Sequence, residues 1–515
     1  MRKIIILFIF IILFSLSFRL NLYNTYPKGY DTFTMYKLSN DIINKKYIGW
    51  TENPLSLTGF YPISYQTSAN LLLSIISSTL GINITYSILI WDLFLVIFLA
   101  IIIYLISHSI FKNRFTAIIT VLIYLNTNYV IYFTDWFYSS RNLFLVLLLF
   151  FVWVLISREI KHRLLLLFFI LTLLTITHRM IIIMPLFILS YVLSSIFSNP
   201  KYNLLRFKYL FLGLAIISIF ISLIIFPFLF KYVNNSQINF SIGNIFNDLI
   251  NLGIYYGGQI GILSIFIPLG YISFIFNKKF DITSIFFLMT ITSLLLFISD
   301  ETYVSYVILP FLVMLIAYGI KYVCDIFHNK LYFYILVSSL IIICLIVPLF
   351  INVGNNNREF TIVMQKTISL QEYILAKNNN KSFVCNNIDI FCSQLTALTN
   401  NKIDTISAGS ELTHFDKYNL SEVKIKLSIK KLFVFEDPII KIPYYENIYQ
   451  DHLVTYYLAP EMQSKILNFT NVGYIIDIYS NSYKPNDALI IRKYGYINKI
   501  YDNSFEGVRK LNDIY

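Results

Sequence analysis

The chain has 515 residues, of which 57% are hydrophobic and only 13% are charged, and its mean hydropathy is +0.67. Soluble domains carry about a quarter charged residues, so the composition excludes a wholly water-soluble protein. The formal net charge is +12, but the part from residue 355 onward holds 18 Lys and Arg against 17 Asp and Glu, so the positive excess belongs to the apolar part and does not indicate nucleic-acid binding.

Apolar runs that are long enough to cross a bilayer recur up to about residue 352 and then stop. A spanning helix needs about 20 apolar residues, and the runs 211–229 and 331–349 contain no charge at all. The first run follows Arg2 and Lys3 and lacks a small-residue cleavage site, so we interpret it as an uncleaved first span. About eleven spans are predicted, at residues 4–18, 86–107, 115–133, 142–157, 163–177, 180–197, 209–230, 251–276, 283–298, 303–320 and 331–352.

The loop charges predict the orientation of these spans. Residues 65–80 form one more apolar stretch, which is short and rich in Ser, Thr and Asn. If this stretch lies along the outer surface as an interfacial or re-entrant helix, the inner loops hold 14 Lys and Arg against three acids, as the positive-inside rule requires. We therefore expect a multi-pass protein of the plasma membrane with a cytoplasmic N-terminus and an extracytoplasmic C-terminal domain.

This pattern divides the chain into two predicted domains. Residues 1–352 form a transmembrane domain whose first outer loop is 21–85, and residues 353–515 form a soluble extracytoplasmic domain. In the second domain, strand-like runs alternate with a helix-like run, which indicates a small α/β domain. The runs are the strands 432–435, 474–478 and 488–491 and the helix 361–376. Cys385 and Cys392 also lie there, and whether they form a disulfide or remain thiols stays open.

The first outer loop is the most informative segment of the transmembrane domain. The residues 26–31, Tyr-Pro-Lys-Gly-Tyr-Asp, precede a predicted helix that carries Met35, Leu38 and Ile42 on one face. Asp31 stands at the start of this helix. A carboxylate in that place either caps the helix by accepting backbone N–H bonds or takes part in chemistry, and both interpretations stay open.

Several short motifs, taken in order, resemble the GT-C superfamily of membrane glycosyltransferases, which includes protein O-mannosyltransferases and archaeal oligosaccharyltransferases. They are Gly-Tyr-Asp in the first outer loop, Phe60-Tyr61-Pro62 before the interfacial helix, residues 134–141 (Thr-Asp-Trp-Phe-Tyr-Ser-Ser-Arg), Thr177-His178-Arg179 before a span, and residues 472–476 and 499–503. The resemblance covers most of the chain. It implies a polytopic α-helical GT-C fold with interfacial helices on the outer face.

The resemblance also implies that an Asp of the first outer loop takes part in catalysis, and Asp31 matches that position. Transfer of a sugar from a polyprenyl (dolichyl) phosphate needs a carboxylate that takes the acceptor proton and a cation that meets the leaving phosphate. We expect Asp31 and Asp135 to be the catalytic carboxylates. Substrate and phosphate contacts are expected from Arg141, His178, Arg179, Lys28 and Asp92.

Each of these residues also has a structural interpretation. Arg141 and Arg179 could anchor helix ends at the lipid headgroups, His178 could be a hydrogen-bonded interface residue, and Asp135 could be a solvated loop residue. Asp92 lies inside a span, where a carboxylate needs an ionic partner or a polar cavity, and the sequence does not identify that partner.

Two departures from the superfamily narrow the expected reaction. Many relatives carry an Arg near the start of the span before a Leu-Pro segment, where it helps to bind lipid phosphate. Residues 300–310 of this chain contain no arginine, so we expect Arg141 or Arg179 to contact the lipid phosphate. The Trp-Trp-Asp signature of oligosaccharyltransferases is absent from the C-terminal domain, which favours transfer of a single sugar.

The sequence thus predicts an inverting, mannosyltransferase-like hexosyltransferase of protein glycosylation. Its expected partners are a polyprenyl-phosphate sugar donor, the lipid bilayer and an unidentified protein or glycan acceptor. No cofactor or metal site is predicted, because His and Cys are scattered, although the carboxylates of Asp31 and Asp135 would suit Mg²⁺ or Mn²⁺. Two alternatives stay open: a transporter or flippase for a lipid-linked substrate, for which no internal repeat is visible, and a non-catalytic scaffold for envelope assembly.

Overall fold

The structure is a computed structural model. It describes residues 2–19, 30–47, 51–53, 59–61, 68–157, 159–198, 211–218, 255–277, 281–295 and 304–326, seven short strands between residues 382 and 502, and the single residues 27, 253 and 339.

Helices form most of the described chain up to residue 326. They are α1 (Arg2–Arg19), α2 (Tyr30–Lys45), α3 (Ser68–Leu80), α4 (Ile84–Phe111), α5 (Arg114–Leu125), α6 (Asn128–Phe133), α7 (Ser140–Ile156), α8 (Arg163–Thr177), the 3-10 helix η1 (Arg179–Ile183), α9 (Met184–Phe197), the 3-10 helix η2 (Gly261–Ile265), α10 (Phe266–Asn277), α11 (Ile282–Leu295) and α12 (Val304–Ile326). The strands are β1 (Thr51–Asn53), β2 (Gly59–Tyr61), β3 (Ser382–Cys385), β4 (Ile403–Thr405), β5 (Lys424–Lys426), β6 (Ile439–Lys441), β7 (Val472–Ile478), β8 (Leu489–Lys493) and β9 (Lys499–Asp502).

The predicted apolar runs before residue 326 fall on helices wherever the structure describes them. Four of the described helices, Ile84–Phe111, Met180–Phe197, Tyr255–Phe276 and Ser305–Ile326, are long and apolar enough to cross a membrane, and six apolar helices are shorter. The total of about eleven spans and the side on which each loop lies stay predictions.

One predicted span, residues 115–133, is divided into the two helices α5 and α6. The amide nitrogen of Asn126 donates to Leu122 O at 2.7 Å, and the Thr127 hydroxyl donates to Tyr124 O at 2.9 Å. Thr127 also caps α6, since its oxygen accepts from the backbone N–H of Val130. These side chains satisfy backbone groups that a helix end leaves unpaired, which makes the interruption stable.

The structure divides into two units. The first unit comprises Met1–Asn21, Leu93–Asp135 and Arg141–Asn352, and the second comprises Leu22–Asp92, Trp136–Ser140 and Val353–Tyr515. The domain boundary at residues 352 and 353 stays a prediction.

An aromatic core joins four helices of the first unit. Phe111 of α4 packs edge-on against Phe274 of α10 and Phe287 of α11, with ring centroids 5.6 Å apart in both pairs, and it stacks on Tyr318 of α12 at 5.1 Å. Edge-on and offset arrangements are those that aromatic quadrupoles favour. The cluster therefore fixes α10, α11 and α12 around the end of α4.

The first unit also exposes large apolar side chains in stripes. On α8, Leu164, Leu165 and Phe168 are 82%, 69% and 70% exposed. Water would disfavour such a surface, whereas lipid tails match it, and a helix satisfies its own backbone groups in lipid. The apolar helices therefore belong to a membrane protein.

In the second unit, α2 and α3 pack against each other through buried serines. Ser39 Oγ donates to Asn70 O at 3.1 Å, and Ser74 Oγ donates to Ser39 O at 3.1 Å. The helix that was predicted after Asp31 is thus α2, and the predicted stretch 65–80 contains α3. The interfacial position of α3 stays a prediction.

The strands also belong to the second unit. β1 and β2 form an antiparallel pair, as do β5 and β6. A mixed five-stranded sheet has the order β4-β3-β7-β8-β9, in which β3 is parallel to β4 and β7, and β8 is antiparallel to β7 and β9. The predicted strands 474–478 and 488–491 are confirmed as β7 and β8. The run 432–435, the helix 361–376 and Cys392 lie outside the described residues, and the α/β class stays a prediction.

Candidate active site

Asp31 lies in the first turn of α2, which begins at Tyr30. Its residue is 8% exposed, and its Oδ2 atom accepts a hydrogen bond from Ser139 Oγ at 3.3 Å. The positive end of the helix dipole stabilises a carboxylate in the first turn. The structure therefore holds Asp31 as a largely buried carboxylate with a polar contact outside its own helix.

The segment that supplies this contact is 136–140, and three more hydrogen bonds hold it. The backbone N–H of Tyr138 donates to Thr32 Oγ1 at 2.9 Å, and the Tyr138 hydroxyl donates to Ala69 O at 2.6 Å. The backbone N–H of Phe137 donates to Asp92 Oδ2 at 3.2 Å. Residues from α2, α3 and α4 thus fix one short piece of the connection between α6 and α7.

The contact to Phe137 identifies a partner for Asp92, which the sequence left open. Asp92 is 1% exposed and lies in α4 next to Trp91, whose ring packs edge-on against Tyr138 at 6.0 Å. A buried carboxylate that accepts a backbone N–H bond avoids part of its desolvation cost. Asp92 therefore helps to position the 136–140 segment, and its predicted contact with substrate stays a prediction.

Asp135 and Arg141 are the residues that flank this segment in the chain, and both belong to the first unit. Asp135 is half-buried and follows Thr134, whose Oγ1 accepts a hydrogen bond from Arg19 Nε. Arg19 is 1% exposed and also donates to Leu125 O at 2.7 Å. Sequence reasoning missed Arg19, because a basic residue after an apolar run is usually a span end at the headgroups.

Arg141, at the start of α7, lies over the ring of Tyr306 in α12, with Cζ 5.8 Å from the ring centroid. Tyr306 in turn packs against Tyr129 at 4.1 Å and Phe133 at 4.5 Å, and the Tyr129 hydroxyl is 3.3 Å from Ser305 Oγ. Guanidinium groups are attracted to aromatic faces. An arginine from α7 therefore lies at the start of α12, a segment whose own residues include no arginine.

His178 separates α8 from η1 and acts as the cap of η1. Its Nδ1 atom accepts the backbone N–H of Met180 at 3.1 Å, and its ring lies 6.0 Å from that of Phe144. Since Nδ1 is an acceptor, the ring proton is assigned to Nε2. Arg179 is the first residue of η1, but its side chain lies outside the described residues, as does Lys28. Their predicted phosphate contacts stay predictions.

Lys37 is another residue of α2 with low exposure. It lies six residues after Asp31 and is 4% exposed. This spacing places it about 120° around the helix from Asp31, so the two side chains leave α2 on different faces.

Among the described residues, no group of three His, Cys, Asp or Glu side chains is arranged to hold a metal ion. Asp31 and Asp92 both contact the 136–140 segment within the second unit, while Asp135, Arg141 and His178 belong to the first unit. The assignment of catalytic and substrate-binding roles stays a prediction.

Comparison with known proteins gives structural matches without sequence matches. Neither a protein-family model nor a curated protein matches the sequence. The apo crystal structure of the oligosaccharyltransferase of Archaeoglobus fulgidus matches with a TM-score of 0.58 at 12% identity, over 92% of this chain and 69% of that chain. The same enzyme in complex with Zn and sulfate matches with a TM-score of 0.56 at 13% identity, over 92% of this chain and 68% of that chain. The archaeal oligosaccharyltransferase AglB of that organism, in complex with an inhibitory peptide and a dolichol-phosphate, matches with a TM-score of 0.56 at 10% identity, over 92% of this chain and 69% of that chain.

Proposed function

Because this chain has the fold of the GT-C superfamily of membrane glycosyltransferases, we propose that it transfers a single sugar from a polyprenyl phosphate to an acceptor at the outer membrane face. The fold likeness supports the reaction class, since it extends over 92% of the chain. The observation that carries the proposal is Asp31, a buried carboxylate in the first turn of α2 that accepts a hydrogen bond from Ser139.

The proposed step is a direct displacement at the anomeric carbon. Asp31 accepts the proton of the acceptor, the acceptor atom forms a bond to the anomeric carbon, and the bond from that carbon to the phosphate oxygen breaks. The electron pair leaves with the lipid phosphate, and the sugar inverts its configuration. A hexose is the proposed sugar, as in the mannosyltransferases that the sequence resembles.

Arg141 is the proposed partner of the leaving phosphate. A guanidinium offers two parallel N–H donors to phosphate oxygens, and Arg141 lies at the start of α12 over Tyr306. The dolichol-phosphate in the archaeal AglB complex supports a lipid phosphate as the ligand of this fold. Five further residues are proposed to take part in catalysis or substrate binding, as the sequence predicts: Asp135, Arg179, His178, Lys28 and Asp92.

Transfer of one sugar is favoured over transfer of an oligosaccharide. The archaeal neighbour is an oligosaccharyltransferase, but this sequence contains no Trp-Trp-Asp, the signature expected of that activity. The acceptor is proposed to be a protein or a glycan, and an acceptor peptide is bound in one structure of the archaeal enzyme. Another structure of that enzyme contains zinc and sulfate, so the effect of a chelator on sugar transfer tests whether this chain needs a divalent ion.

The decisive variant is Asp31→Asn in the purified full-length protein. Removing a general base typically costs about 10²- to 10⁴-fold in rate, and we expect transfer from polyprenyl-phosphate hexoses to fall in that range while donor binding is retained. Asp41→Asn is the matched control, because Asp41 lies on the same helix ten residues later and is half-buried. It should retain transfer.

Full activity of Asp31→Asn would refute the role of Asp31. If wild-type protein binds the lipid donor but transfers no sugar to any acceptor in a panel of peptides and glycans, the alternatives of a flippase or a scaffold would replace the glycosyltransferase. Vesicle-based flipping of the same lipid would then separate these two.

A further inference from the structure

Arg19 is the last residue of α1, and it connects this helix with the region around α6. It is 1% exposed, and one nitrogen of its guanidinium donates a hydrogen bond to Ser15 O of its own helix. The other two nitrogens donate to Leu125 O, at the end of α5, and to Thr134 Oγ1, directly after α6. A guanidinium presents its donors in a fixed planar arrangement, so it can hold separate acceptors in one geometry. One buried side chain therefore holds the chain just before and just after α6.

The short helix α6 depends on contacts from outside itself. It has six residues, Asn128–Phe133, and isolated helices shorter than about 12 residues are marginally stable. Thr127 caps its start. At its end, the Thr134 hydroxyl accepts the bond from Arg19 and donates to Val130 O at 2.5 Å. Thr134 thus connects Arg19 directly with the last turn of α6.

α6 in turn supports the surroundings of Arg141 by two separate contacts. Tyr129 and Phe133 pack against Tyr306, with ring centroids 4.1 and 4.5 Å apart. The guanidinium of Arg141 lies over the Tyr306 ring, 5.8 Å from its centroid. Asn142, the next residue of α7, donates from its amide nitrogen to Phe133 O at 2.8 Å. Because protein interiors are close-packed, a shift of α6 would move both the ring under Arg141 and the start of α7.

We propose that Arg19 is a positioning residue for Arg141, which rests on the proposed function. It holds α6 so that Tyr306 and the start of α7 place the Arg141 guanidinium where the phosphate of the polyprenyl-phosphate donor binds. Displacing a substrate-binding group by about 1 Å can remove much of its contribution. Arg19 itself does not contact the substrate, since each of its three side-chain nitrogens donates within the protein.

Binding of two lipids to the full-length protein in nanodiscs tests this assignment. Polyprenyl phosphate and uncharged polyprenol share the chain and differ in the phosphate, so the ratio of their affinities reports the phosphate contact. Arg19→Lys keeps the charge but loses the planar donors, and we expect it to lower this ratio about 10-fold, the value of one hydrogen bond to a charged group. Thr134→Val keeps the shape and removes the acceptor, so it should lower the ratio as well. Thr134→Ser, which retains the hydroxyl, should keep the ratio of wild type.

A double-mutant cycle separates positioning from a general structural role. Arg141→Met removes the proposed phosphate contact, so Arg19→Lys should change the ratio little further in that background. Arg163→Lys is the matched control, because Arg163 also donates to a carbonyl near a helix end, Leu155 O, and its Cζ lies 5.1 Å from the centroid of the Tyr191 ring. These contacts join α8 with α7 and α9 and do not involve α6. Arg163→Lys should therefore bind both lipids as wild type does.

An unchanged ratio in Arg19→Lys would overturn the role of Arg19 and leave the proposed function intact. Equal weakening of both lipids would also overturn it, because Arg19 would then act through packing. Additive effects of Arg19→Lys and Arg141→Met, or a wild-type ratio in Arg141→Met, would show that Arg19 does not act through a phosphate contact of Arg141. A wild-type protein that does not prefer polyprenyl phosphate over polyprenol would instead refute the donor class on which the proposal rests.

Discussion

Replacing Gly270 by alanine tests whether α10 and α12 depend on direct backbone contact. A Cβ at this position would lie 2.0 Å from the carbonyl oxygen of Leu315 and 2.7 Å from its carbonyl carbon, whereas ordinary contacts lie at 3.4–4 Å. Both atoms belong to the backbone, so no side chain can rotate away, and in a close-packed interior the helices would have to separate by about 1.4 Å. Overpacking costs about 1–3 kcal/mol, and we expect a loss near the upper end, about 3 kcal/mol.

Two further alanine variants calibrate this expectation. A Cβ on Gly319 would lie 2.8 Å from Phe266 O, so Gly319→Ala should cost less, about 1 kcal/mol. A Cβ on Gly258 would meet no atom within 4 Å, and because alanine favours helix, Gly258→Ala should leave stability unchanged or raise it slightly. Thermal unfolding in detergent should therefore give the lowest midpoint for Gly270→Ala and the next lowest for Gly319→Ala. Equal midpoints for Gly270→Ala and Gly258→Ala would refute the backbone contact.

Two other predictions concern His178 and Asp281. In His178→Asn the amide oxygen replaces Nδ1 as the cap of η1, so thermal stability should be kept, whereas His178→Gln, which mimics Nε2, should lose about 1 kcal/mol of stability. The reverse order of stability would contradict the cap. Loss of sugar transfer in a stable His178→Asn variant would support the proposed phosphate contact. Burial raises the pKa of Asp281, but hydrogen bonds from Lys112, Ser284 and Thr283 outweigh it and lower the pKa to about 2. The carboxylate therefore stabilises the fold above about pH 4, and this is lost as the pH falls toward the folded pKa. Asp281→Asn should reduce the difference between unfolding midpoints at about pH 5 and about pH 3, and an unchanged difference would argue against the ion pair.

Hydropathy located the described helices up to residue 326 because a bilayer imposes one length scale and requires each backbone group to bond within its own helix. The break between α5 and α6 was missed for the same reason. Average apolarity over residues 115–133 is high, and it hides the local hydrogen bonds of Asn126 and Thr127 that end one helix and start the next. Caps are encoded in single residues, which a window of hydropathy does not weigh.

The contacts of the 136–140 segment could not be predicted. They join residues that are 45, 69, 106 and 108 positions apart in the chain, and no local pattern specifies such pairs. Asp31 and Asp92 were recognised as unusual from their setting, since a carboxylate at a helix start and one inside a span each need an explanation. That both form hydrogen bonds with the same segment is a tertiary property, and it changes the interpretation of Asp92 from an isolated charge to an anchor of the connection between α6 and α7.

Lys37 shows that the polar character of a side chain does not predict its exposure. In the sequence it stands in a helix with polar residues such as Asn40, Asp41 and Asn44, which is typical of a solvated face. The residue is nevertheless only 4% exposed, because other parts of the fold cover α2 around it. The proposed leaving phosphate requires a nearby cation, but it does not require that the cation come from the start of a particular span. The lack of an arginine in residues 300–310 is therefore compatible with the proposed transfer, provided that Arg141, which lies over Tyr306 of α12, supplies the charge.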